Sequence, residues 1–106
     1  MLPYYILFYE TVNDYLEKRG QYREEHLKLA NTARKNGNLI MAGAFANPAD
    51  GAALIFKAEN AEIPKEFAKN DPYVKNGLVK NWELRDWTVV IGNENPEAEP
   101  SGNFIN

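Results

Sequence analysis

The sequence predicts a single α+β domain in the order strand, helix, strand, strand, helix, strand. Three observations carry this reading. Residues 4–9, 39–45 and 52–57 are apolar runs of strand length and composition, and 78–91 is a longer strand-like stretch rich in aromatic and aliphatic residues. Between the first and second runs, and again between the third and fourth, the residues follow helical rather than alternating periodicity. Turn-forming residues mark the junctions: Asn36-Gly37-Asn38, Asn47-Pro48-Ala49-Asp50-Gly51 and Asn76-Gly77. A length of 106 residues suits one domain with a core of its own.

Taken in order, Tyr4-Tyr5-Ile6-Leu7-Phe8-Tyr9 holds no polar position and reads as a strand covered on both faces. Thr11, Asn13 and Asp14 then supply helix-capping side chains. A helical stretch follows to about Lys35, with an interruption at Gly20. Its inner stripe is Tyr15, Tyr22, His26, Leu29 and Ala33, flanked by Leu27 and Ala30, while Arg23, Glu24, Glu25, Lys28 and Arg34 fill much of the remainder. Gly37 suits the C-terminal cap because it tolerates positive φ. Leu39–Phe45 and Ala52–Lys57 are the second and third strands, joined as a hairpin. Asn60 caps a short helix running to Lys69, with Pro64 in its first turn. Asp71 and Pro72 open one more turn, as N-cap and first helical residue. Leu78–Ile91 is the last strand, carrying Trp82, Leu84, Trp87, Val89 and Val90. The domain therefore spans 1–92. Residues 93–106, with Pro96, Pro100, Gly102 and several acids, read as a flexible C-terminal tail.

This order is the split βαβ, or ferredoxin-like, pattern: a four-stranded antiparallel sheet with two helices on one face. No element remains to cover the other face, which is apolar too. The expectation is a symmetric homodimer, sheet against sheet.

Composition excludes several classes of chemistry. The chain has no cysteine, so disulfides, thiolate metal sites and thiol nucleophiles are out. One histidine, His26, leaves no histidine pair for a metal within a subunit. Net charge is −3 and basic residues do not cluster along the chain, which argues against nucleic acid as a partner. No apolar run reaches the roughly 18 residues of a membrane helix, and the N-terminus lacks the features of a signal peptide. Neither a phosphate-binding glycine loop nor a nucleophile elbow is present, and the only serine is Ser101. A cytoplasmic protein working without a cofactor is expected.

His26 is the first candidate for chemistry, because an imidazole is an unusual choice on an inward helical stripe. Asp71 is the second. As an ordinary N-cap it would stabilise the following turn by about 1 kcal/mol. Reaching His26, it would instead fix the imidazole tautomer and prepare the other ring nitrogen for general acid–base work. Arg23 lies one turn before His26 and offers a planar fork to an anionic group; its competing role is a surface ion pair with Asp14 or a glutamate. Gly43, inside a strand, marks a bulge or a close approach to the backbone. Tyr5, Tyr73 and Trp82 are candidate pocket walls, with core packing as the competing reading.

Arg23-x-x-His26-Leu27, Gly37-x-Leu39-x-x-Ala42-Gly43, Asp71-Pro72-Tyr73, then Gly77 and Trp82-Glu83-Leu84-Arg85-x-Trp87 together resemble the YciI-like (YCII-related) family over residues 4 to about 91. The resemblance implies a ferredoxin-like fold pairing into a dimeric α/β barrel. It also implies a catalytic His–Asp pair in a cleft, at His26 and Asp71, with Arg23 and Gly43 at matching positions. One branch of the family is associated with dehydrochlorination of a chlorinated hydroxyquinone. The expected function is thus a cofactor-independent enzyme performing elimination or isomerisation on a small cyclic or aromatic substrate. The alternative is a non-catalytic small-molecule-binding or accessory dimeric domain.

Overall fold

The computed structural model describes residues 2–92, so the tail expected at 93–106 lies outside the described residues. In chain order the elements are β1 (Tyr4–Thr11), α1 (Tyr15–Lys18), α2 (Gly20–Lys35), β2 (Leu39–Ala44), β3 (Gly51–Lys57), α3 (Glu62–Asn70), α4 (Pro72–Lys75) and β4 (Val79–Trp87). The strands form one sheet in the order β2-β3-β1-β4, every neighbouring pair antiparallel. This is the expected α+β arrangement, with the most apolar strand, β1, inside the sheet.

Alternation along β1 divides the sheet into two faces. Tyr5, Leu7, Tyr9 and Thr11 are buried toward the helices, while Tyr4, Ile6 and Phe8 are half-buried on the opposite face. Leu7 sits opposite Leu54 on one side and Leu84 on the other, which centres the core on the middle of β1. Phe56 completes it, meeting Phe67 of α3 edge to face with ring centroids 5.2 Å apart. The opposite face carries Tyr4, Ile6, Phe8 and Ile55, with Met41 and Trp87 exposed on it.

Local sequence explains the element ends. The long helix is split one residue before the expected interruption at Gly20: α1 ends at Lys18, Arg19 lies between, and Gly20 is the first residue of α2. Gly37, at φ +84°, closes α2, where Asn38 N–H donates to the Ala33 carbonyl and Gly37 N–H to that of Arg34. Gly77 repeats the motif after α4, at φ +78°. Gly51 opens β3 because a Cβ there would collide with the Tyr9 carbonyl oxygen. Asn60, expected as the cap of α3, lies one residue before the actual N-cap, Ala61, and accepts the Glu62 N–H at 3.0 Å from there. Asp14, by contrast, makes no capping bond and pairs with Lys18 at 3.0 Å.

The last strand is shorter than its apolar run suggests. It ends at Trp87, not Ile91. Trp87 is the partner of Tyr4, the first residue of β1, and Pro3 before it has no N–H to extend the ladder. Val89 and Val90 therefore have β-strand character with no strand to join.

Candidate functional site

α2 contributes no buried residue, although it carries an apolar stripe. The reason lies in the strands beneath it. The β2–β3 register shifts between Leu39 and Met41, after which Ala42 and Ala44 point to the helix side, opposite Leu54 and Ala52. Alanines there cannot fill the space under a helix, and a cleft of about 390 Å³ remains between α2 and the sheet. Its walls include Tyr9, Thr11, Arg19, Arg23, His26 and Tyr73.

His26 projects from the second turn of α2 and meets Asp71 at the entry to α4. Its Nδ1 lies 2.9 Å from Asp71 Oδ1 and 3.1 Å from Oδ2. Asp71 is held there by its own sequence. Preceding Pro72, it adopts extended backbone, φ −68° and ψ 122°, and its Oδ1 accepts the Tyr73 N–H at 3.0 Å. Oδ2 accepts the Tyr9 hydroxyl at 2.7 Å. The aspartate side chain is 0 % exposed and that of His26 17 %. A carboxylate with no solvent contact thus takes three donors: a phenol, a backbone amide and, by this geometry, the imidazole Nδ1–H. With Nδ1 committed, Nε2 is the nitrogen left to act.

The imidazole is fixed in a second direction by Tyr73, whose ring stacks on it at 4.0 Å and 12°. Tyr15 meets Tyr73 edge-on at 5.7 Å, and the Arg19 guanidinium lies 5.7 Å above the Tyr15 ring. Burial pushes the Tyr9 hydroxyl far above its ordinary pKa, and the Asp71 charge and hydrogen bond add to this, so it remains a donor. Burial also raises Tyr73, helped by Tyr15 and opposed by Arg23 and Arg19. Among the described residues, no group of three or more His, Asp or Glu side chains is placed to hold a metal ion.

Of the residues singled out from sequence, His26, Asp71 and Tyr73 come together, and Arg23 joins them on the cleft wall. Asp14 is taken by Lys18, so the ion pair that competed for Arg23 does not form with it. Tyr5 and Trp82 do not belong to the cleft. Tyr5 is buried among core side chains, and Trp82 packs against that core from β4, at the sheet edge away from β2. Gly43 lines the cleft but marks neither bulge nor close approach. The irregularity lies at Leu39–Met41, and a Cβ on Gly43 would meet nothing within 4 Å. Sequence reasoning missed Tyr9, whose helix-facing place in the β1 alternation was the available signal. It also missed Arg19, one turn before Arg23 on the same helical face.

The fold resembles that of 5-chloro-2-hydroxyhydroquinone dehydrochlorinase from Burkholderia phenoliruptrix, solved with 2,5-dihydroxybenzoquinone. The TM-score is 0.69 at 19% identity, covering 80% of this chain and 93% of that one. An uncharacterised protein of Haemophilus influenzae is 32% identical over 97 residues, 83% of this chain and 99% of that protein. The YCII-related domain matches residues 2–88, and the chain belongs to that family.

Proposed function

We propose that this protein is a cofactor-independent enzyme in which His26, oriented by Asp71, moves a proton on a small cyclic or aromatic substrate. The observation that carries the reading is the imidazole held at Nδ1 by a fully buried carboxylate while its ring borders an open cleft. In the reaction Nε2 takes a proton from the substrate. The electron pair left behind either expels an anionic leaving group, for net loss of HX, or is reprotonated at another atom, giving an isomer. The imidazolium formed in the first step returns the proton, and Asp71 stabilises that cation in the interval. A positioned acid–base group contributes about 10²–10⁴-fold, which suits a substrate whose proton is already acidic. The dehydrochlorination named for the structural neighbour is a reaction of this type, and a cleft of this size accommodates a single ring.

The active form is a homodimer in which the apolar sheet face of Ile6, Phe8, Ile55 and Trp87 packs on its counterpart, completing a dimeric α/β barrel. The test of function is turnover of halogenated and unhalogenated hydroquinones, followed by chloride release and by product absorbance. His26→Ala should abolish it. Turnover unchanged in that variant would remove the mechanism. One observation favours the non-catalytic alternative: Asp71 also caps α4, a sufficient structural reason for its presence. Ligand uptake without product in the same assay would support that reading.

A further inference from the structure

The cleft is lined by Arg19, Arg23 and Arg34, which are three of the four arginines in a chain of net charge −3. No aspartate or glutamate lines it among the described residues. The described carboxylates that form ion pairs do so with lysines or His26, and none of these three guanidinium groups is paired. Two buried hydroxyls on the same wall are also unsatisfied. Thr11 Oγ1 and the Tyr73 phenol oxygen, on residues 5% and 3% exposed, have no partner of full hydrogen-bond geometry, the phenol lying within the influence of the Arg23 guanidinium. Such groups are costly to leave unmade and are rarely left so without a use.

Arg19, Arg23 and Tyr73 cluster beside His26, and Thr11 lines the same cleft from β1. Arg19 sits over Tyr15, Tyr15 meets Tyr73 edge-on, and Tyr73 stacks on His26. Arg23 lies one turn from His26 on the same helix face. Arg34 is set apart, about 12 Å further along the helix axis from His26 at 1.5 Å per residue. We infer that Arg19, Arg23 and the hydroxyls of Thr11 and Tyr73 form an oxyanion subsite, so that the substrate is a ring bearing a carboxylate or equivalent oxyanion close to the carbon that His26 deprotonates. The arginines supply forked N–H donors and charge, and the two hydroxyls donate into the remaining lone pairs. An oxyanion near the reacting carbon positions the acidic proton toward Nε2. This inference rests on the proposed function for its reacting carbon, while the anion subsite itself is testable without turnover.

The probes are 2,5-dihydroxybenzoate and its uncharged counterpart hydroquinone, titrated calorimetrically against the full chain. The carboxylate compound should bind at least about 10-fold more tightly, with an advantage that shrinks as salt rises. Arg23→Gln and Arg19→Gln should each remove about 10-fold of its affinity and leave hydroquinone unaffected. Thr11→Val and Tyr73→Phe should weaken it by a smaller factor, and Arg34→Gln should leave it unchanged. Equal binding of the two probes, or losses as large for Arg34→Gln as for Arg23→Gln, would overturn the subsite. His26→Gln separates this outcome from that of the proposed function: it should bind the carboxylate probe normally while losing turnover. Normal binding with turnover intact would sink the mechanism and leave the subsite standing.

Discussion

Asp71→Asn is the most informative perturbation, because the chain has a single histidine and every imidazole signal reports on His26. In the native protein the carboxylate accepts from Tyr9 at 2.7 Å, from the Tyr73 amide at 3.0 Å and from the imidazole Nδ1–H at 2.9 Å. An asparagine keeps the shape but brings a donor where there were two acceptors. Its oxygen, at the Oδ1 position, retains the Tyr73 amide and still lies 2.9 Å from Nδ1, while its NH2 group takes the Oδ2 position and faces the Tyr9 hydroxyl. That hydroxyl must turn to accept, and Nδ1, 3.1 Å from the NH2 group, is no longer held as the N–H by a charge. All three bonds lose the carboxylate's charge, at a loss of about 1 kcal/mol each, or about 3 kcal/mol in all. For a domain of this size that lowers Tm by about 12–24 °C. Calorimetry measures the stability, and long-range 15N–1H correlation spectra at high pH measure the tautomer. Native protein should carry its proton on Nδ1, and the variant should populate both tautomers. An Nε2–H tautomer in the native protein, or no change in the variant, would refute the claim that Asp71 sets the reactive nitrogen.

Three further predictions follow from the same geometry. Tyr9 has a raised folded-state pKa, so its contribution to stability is complete below about pH 10, its unfolded value, and declines as pH rises beyond that by about 1.4 kcal/mol per unit. Tyr9→Phe should cost about 1.5–3 kcal/mol at neutral pH and flatten that alkaline decline, read by denaturant melts from pH 7 to 11; an unchanged slope would contradict the assignment. Ala42→Leu, pointing into the cleft from an exposed position of β2, should keep the fold by circular dichroism yet lose ring-sized ligands, and undiminished binding would mean they sit elsewhere. Ile55→Lys, on the sheet face away from the helices, should convert a dimer to a monomer in light scattering, whereas a native protein with the mass of one subunit would end the dimer proposal.

Much of this architecture was readable from the chain. The strand runs, Gly37 and Gly77 encode element identity and ends locally, through alternation and backbone freedom, so their order survives folding unchanged. The meeting of His26 with Asp71 was legible only as two unusual choices: an imidazole on an apolar stripe, and an aspartate locked extended by Pro72. What escaped the sequence is what depends on tertiary placement. Tyr5 and Tyr9 lie four residues apart on the same face of the same strand, with Leu7 between them. Only the arrival of α4 over the end of β1 makes Tyr9 a partner of the carboxylate and leaves Tyr5 in the core. Trp82 was misplaced because strand order is not written locally: it falls on β4, on the side of β1 opposite β2 and the cleft. The reach of β4 was overestimated for a similar reason, since a strand continues only while its neighbour does. The cleft itself arises from alanines at Ala42, Ala44 and Ala52, whose meaning depends on the register shift at Leu39–Met41.

On the proposed function, His26 exchanges a proton with carbon on a bound ring. Incubation of the native protein with 2,5-dihydroxybenzoate and related cyclic enols in D2O, with deuterium incorporation followed by proton NMR, measures that step without requiring a leaving group. Exchange should be catalysed by the native protein and reduced by at least about 100-fold in His26→Gln. Equal exchange by the two proteins, or none above the buffer rate with the ring demonstrably bound, would contradict it.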